Sequence, residues 1–176
     1  MQKALHHLIK GIFGLTLIFN LSITNLLAED WHHFEKMATQ TIKAVKKGHP
    51  KDIDQLIHLQ ERLMEIGVKA CENYALANPD DAKMFQLVVT NAENMKVLSL
   101  PEIKYQWHAK RFLLKHGISA DKLQQNSTTG SLLDSVVHPA TAYVALIEYR
   151  RTGDAALLEQ VNLELSEAVI QLTYLQ

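Results

Sequence analysis

Residues 158–175 read LEQVNLELSEAVIQLTYL, and Leu158, Val161, Leu165, Ala168, Leu172 and Leu175 recur in them at alternating steps of three and four. That spacing puts all six apolar side chains on one stripe of an α-helix. A seam this regular packs by interdigitation against a partner helix. The nearest apolar stripe upstream is Leu133, Val137, Ala140, Val144 and Ile147, on a segment that ends at Gly153-Asp154. A turn that short joins the two segments as an antiparallel hairpin about Gly153.

The same periodicity runs back through the chain, punctuated by proline and glycine. The first helix is expected over about 30–47, with Trp31, Phe34, Ala38, Thr41 and Val45 inward. The second covers about 51–77 after Pro50, with Ile53, Leu56, Leu63, Gly67, Ala70 and Tyr74 inward. A third follows Asn78-Pro79-Asp80-Asp81 and carries Met84, Val88, Asn91, Met95 and Leu98. A fourth runs from Pro101 to about His116, with Ile103, Trp107 and Leu114 on one stripe and Gly117 as its cap. Residues 118–130 are polar and aperiodic, the one long loop, and a fifth helix covers about 131–152. The fold expected is all-α, an up-and-down antiparallel bundle of about five to six helices.

Residues 1–28 read as a signal peptide rather than as part of that bundle. Lys3 and Lys10 begin it, no charge appears from Gly11 to Ala28, and Glu29 and Asp30 restore polarity. This is the layout of a secretory signal cleaved near Ala28, although Leu26 is larger than the small residue preferred there. An uncleaved N-terminal anchor is the competing reading. The remaining 148 residues suffice for a single domain, 29–176. Both lost cations are lysines, so 16 bases face 19 acids and the net charge is −3. No nucleic-acid partner is expected from that balance, and membrane contact is expected only through the signal segment. Cys71 is the only cysteine, which excludes an intramolecular disulfide.

Three clusters carry chemistry. Asp134 and His138 stand four apart in the fifth helix, so the carboxylate can orient the ring and raise its basicity. Pro139 comes next, and inside a helix it would remove the bond to the Ser135 carbonyl and bend the chain. The competing reading is a surface acid–histidine pair, with Pro139 opening the helix. Lys104, His108, Arg111 and Lys115 form a cationic stripe on the fourth helix, suited to an anionic ligand, an acidic partner or lipid headgroups, or to a match with Glu159, Glu164 and Glu167. The third cluster, at the mature end, holds His32 and His33 among Glu29, Asp30 and Glu35. Adjacent ring side chains point about 100° apart on a helix, which works against one shared ion. His58 pairs only with Glu61, and Cys71 lies on a buried face.

Several classes are absent. There is no C-x-x-C-H for covalent haem, no paired E-x-x-H set for two irons, and no G-x-S-x-G, H-E-x-x-H or glycine-rich phosphate loop. The expected function is therefore a periplasmic or secreted, non-enzymatic bundle that binds a small ligand, an ion or a partner protein. Asp134, His138, His108, Lys104 and Arg111 are its candidate binding residues. The alternative is a metal-binding protein or metal-dependent enzyme using His138, Asp134 and His108, with His32 and His33 as further ligands, for Zn or Cu.

Overall fold

The computed structural model describes residues 30–124 and 127–175; the expected signal segment, 1–28, lies outside them. Helix α1 spans residues 30–45, α2 Ile53–Ala77, α3 Ala82–Met95, α4 Leu100–Ile103, α5 Arg111–Lys115, α6 Thr128–Thr152 and α7 Ala156–Gln171. A π-helical turn, Lys104–His108, continues α4, and short 3-10 turns lie at Pro79–Asp81, Ala120–Leu123 and Leu172–Tyr174. The protein is an all-α bundle with no strand among the described residues.

Side chains that meet across helix pairs give the directions. Lys69 reaches Asp30 at 3.0 Å and Gln60 reaches Thr41 at 3.1 Å, so α1 and α2 are antiparallel. Tyr74 meets Phe85, and Lys96 lies 3.7 Å from Glu61, so α2 and α3 are antiparallel too. Cys71 donates to the Leu132 carbonyl while Arg150 bonds Asp54, which runs α6 against α2. Ser131 meets Gln171 and His138 meets Glu164, which makes α6 and α7 the expected hairpin. Its turn depends on Gly153, whose φ of 71° lies in the left-handed region that glycine tolerates best.

Helix α6 is the axis of the bundle. It packs on α2, α3 and α7, and its buried residues run nearly without interruption from Gly130 to Leu146. A helix apolar on all sides belongs in a core rather than at its edge. By length and composition alone α6 could cross a membrane, but its apolar surface is taken up by its neighbours. The α7 seam is buried from Leu158 through Leu172, and Leu175 is half-buried.

Pro139 lies inside α6 and does not open it. Having no N–H, it leaves the Ser135 carbonyl without its usual helical donor. Gly67 of α2 lies against that oxygen: a Cβ on Gly67 would stand 2.6 Å from it. The missing side chain lets α2 and α6 come together at that point.

The fourth expected helix is broken. Ser99 and Glu102 form a capping box that starts α4, and the Ala109 N–H then bonds the Lys104 carbonyl five residues back. Lys110 adopts φ 57°, left-handed and unusual for a side-chain-bearing residue. The π turn and this reversal rotate α5 relative to α4, so Leu113 is buried and Leu114, expected inward, is exposed. The expected loop is shorter than 118–130, because Ser127 caps α6 at Gly130 and Ala120–Leu123 form a 3-10 turn.

Two substitutions test this packing by chemical denaturation. Leu165→Ala empties a fully buried seam position and should destabilise the protein by about 2–5 kcal/mol. Gly67→Ala should cost about 1–3 kcal/mol despite alanine's better helix propensity, because the new methyl meets backbone. Losses near zero would mean that the seam or the α2–α6 contact is not packed as described.

Candidate metal centre

His138 projects from α6 into the interface with α7 and is 5% exposed. Its Nδ1 lies 2.6 Å from Oε2 of Glu164, itself 5% exposed, on α7. This corrects the pairing expected from the sequence. Asp134 makes no hydrogen bond to His138 and acts on it through charge alone. The surface-pair reading fails as well, because the ring is buried; His58 and Glu61, 2.9 Å apart and exposed, are such a pair.

His108 reaches the same carboxylate from the end of the π turn. Its Nε2 is 2.8 Å from Thr141 Oγ1 and 3.4 Å from Glu164 Oε2, and its ring meets that of His138 edge-on at 5.0 Å. Ligand atoms of His108, His138 and Glu164 all lie within 4.8 Å of one another. They form the only such three-ligand group among the described residues. Gln160 donates to Glu164 Oε1, and Lys104 Nζ in turn reaches Gln160 Oε1 at 2.7 Å.

The hydrogen bonds fix the protons. The Thr141 hydroxyl donates to the Val137 carbonyl at 2.9 Å, so towards His108 it accepts, and Nε2 of His108 carries the hydrogen. His138 donates from Nδ1 to the carboxylate. Its Nε2 has Glu167 Oε2 at 3.8 Å, beyond hydrogen-bond distance. A polar cleft of about 240 Å³ opens beside this ring, lined by Asp134, Glu167, Lys110 and Gln171 among others.

The histidines titrate in opposite directions. Burial holds His108 down at about 4, with the positive charges of His138, Lys104 and Lys110 adding to the effect against Glu164. Burial also pulls His138 down, but the bond to Glu164 and the fields of Asp134, Glu164 and Glu167 together outweigh it, leaving it raised. For Glu164 burial pushes upward, and its bond to His138, the charges of both histidines and Gln160 reverse this, so it stays ionised below the usual range. Burial raises Asp134.

The remaining candidates lie elsewhere. Lys104 supports the set through Gln160, whereas Arg111, beyond the break, rests over the Tyr105 ring at 4.9 Å. The π turn and Lys110 thus divide the expected cationic stripe. His32 and His33, exposed on the first turn of α1 with centroids 6.3 Å apart, do not join the three-ligand group. Cys71 is buried, and burial pushes its thiol pKa up, as expected of an inert core residue.

Sequence spacing offers Glu164 only as one of three acids that could match the stripe carrying His108, and gives no sign of Gln160, of Thr141 or of the bond from His138. The available signal was the position of Glu164 beside Leu165 of the seam, where a charged side chain enters an interface. No family model, no curated protein and no solved structure matches the chain.

The opposed shifts predict a stability profile in chelator-treated protein. His108 is neutral when folded, so its contribution is present above its unfolded value near 6.5 and is lost as pH falls towards 4. His138 has a raised folded pKa, so its contribution is present below about 6.5 and is lost as pH rises through that folded value. Urea midpoints measured against pH should therefore lose their acid-side fall in His108→Gln and their alkaline-side fall in His138→Gln. Unchanged slopes in both variants would contradict the assignment.

Proposed function

We infer that this protein is an exported helical bundle that binds a divalent transition metal, of the zinc or copper class, through His108, His138 and Glu164. One observation carries the reading: three side chains from the π turn, α6 and α7, two of them buried and His108 half-buried, bring their ligand atoms within 4.8 Å of one another. Two imidazoles and a carboxylate suit zinc and copper, and a set of three leaves a coordination position open. Zn–N bonds near 2 Å imply ligand atoms about 3.3 Å apart. Nε2 of His108 already stands 3.4 Å from Glu164 Oε2. Nδ1 of His138, at 2.6 Å, would have to give up its hydrogen bond to that carboxylate to ligate beside it. The bound ion would act as a Lewis acid or as a carried cargo. Around it, Gln160 orients Glu164, and the cleft lined by Asp134 and Glu167 gives access.

Calorimetry on chelator-treated protein lacking residues 1–28 should show saturable zinc or copper binding of about one equivalent. His138→Ala and Glu164→Gln should weaken it about 10-fold or more, with His58→Ala unchanged. An absence of saturable binding, or equal affinities in all variants, would return the cluster to a structural role.

Export rests on the charge-free stretch between Lys10 and Glu29. Intact-mass analysis after cell fractionation should find a chain beginning at or near Glu29 outside the cytoplasm. A full-length species held in the inner membrane would refute cleavage.

A further inference from the structure

From Ile103 to Ala120 the chain has four lysines and arginines and no acid, although the chain as a whole is net negative. Two of the four are held internally: Lys104 by Gln160 and Lys110 by the Leu123 carbonyl. Arg111 and Lys115 have no carboxylate partner among the described residues. Arg111, Leu114 and Lys115 stand three and four apart on α5, which places them on one face. Tyr105 joins that face beneath the Arg111 guanidinium. Tyr105 is 60% exposed and Leu114 46%. Trp107 stacks on Phe112 at 4.7 Å, the tilted His116 ring lies 4.3 Å from Phe112, and through the buried Trp107 these contacts tie α5 to the core. A shallow cleft of about 550 Å³ lies between Tyr105 and Lys115.

We propose that this face, Tyr105, Arg111, Leu114 and Lys115, docks on anionic phospholipid. The shared chemistry is oxyanion recognition. A guanidinium whose plane is supported by an aromatic ring keeps its N–H edge free for phosphate, and Lys115 adds a second charge. A soluble phosphate would need no apolar contact. The exposed Leu114 and Tyr105 beside the cations match the boundary between headgroups and acyl chains instead. The segment that docks also carries His108, so it would hold the metal-site end of the bundle against the bilayer. The lipid proposal stands without the metal.

The test is co-sedimentation of the chain from Glu29 to Gln176 with vesicles of phosphatidylcholine, with and without phosphatidylglycerol. Binding should require phosphatidylglycerol and fall with salt. Arg111→Glu with Lys115→Glu should reduce it by about 10-fold or more, at roughly fivefold for each cation. Leu114→Ser with Tyr105→Ser should weaken it while leaving its salt dependence in place. Lys46→Glu with Lys47→Glu, in the exposed turn that follows α1, is the charge-matched control and should bind as wild type, with circular dichroism confirming that every variant is folded. Equal partitioning onto pure phosphatidylcholine, or an equal loss in the control, would overturn the proposal. So would saturable binding of inorganic phosphate that displaces the protein from vesicles, because the site would then serve a soluble anion.

Discussion

Glu164 sits beside a leucine seam with almost no access to water, and a carboxylate in that position has to be met by donors. His138 and Gln160 meet it with hydrogen bonds, and His108, bonded to Thr141, stands 3.4 Å away; the two histidines come from different stretches of chain. The demand fixes the register of α6 against α7, because a slip of one residue would part His138 from the carboxylate. The end of the π turn is held beside it by His108, whose Nε2 bonds Thr141 of α6. An apolar residue at 164 would pack as well or better, since a buried ion pair adds little net stability over a hydrophobic one. What the polar cluster contributes is three side chains whose ring nitrogens and carboxylate oxygen lie within 4.8 Å of one another.

The irregularities of the fold cluster around the same place. A continuous helix from Pro101 to His116 would have kept Leu114 in register with Trp107. Instead the π bond from Ala109 to Lys104 and the left-handed Lys110 divide the segment into a half that delivers His108 inward and a half that turns cations outward. A side-chain-bearing residue in that conformation costs roughly 1 kcal/mol. The surrounding contacts hold it: the Lys110 ammonium on the Leu123 carbonyl and the packed rings of Trp107, Phe112 and His116. One break thus gives the bundle an inner and an outer chemical face.

The fold was largely legible in the chain because it rests on periodicity. The α7 seam, the α1 stripe from Trp31 to Val45 and the hairpin about Gly153 all follow from spacing and glycine chemistry. The burial of α6 on every side was not legible as a stripe, because its moderate polarity from Ser131, Ser135 and Thr141 disguises residues whose hydroxyls are satisfied inside. For the site, His138 and His108 were identifiable as residues, but spacing could not show that their rings converge; the fold brings them to 5.0 Å. Glu164 stood only among three acids able to match the stripe of His108, and not as the partner of His138. Local spacing offers Asp134, four positions away, whereas the bond goes to Glu164, 26 positions on, across a helix interface. The π turn left no mark in composition, since KYQWH reads as ordinary helix.

Gly67 and Pro139 belong to different helices, yet each is intelligible only through the other. Proline withholds the N–H that would hold the Ser135 oxygen along the axis of α6, and the oxygen meets α2 at the one residue there with no side chain. An amide restored at 139 would draw on that oxygen and ease part of the crowding at 67, where Oγ and the carbonyl carbon of Ser135 would also stand 2.8 and 2.9 Å from a Cβ. Substitutions at these two positions are therefore not additive: a methyl tolerated poorly at 67 beside proline becomes more acceptable once 139 can donate. Among diverging copies of this chain, the two sites should drift together as a compensating pair, although 72 residues separate them.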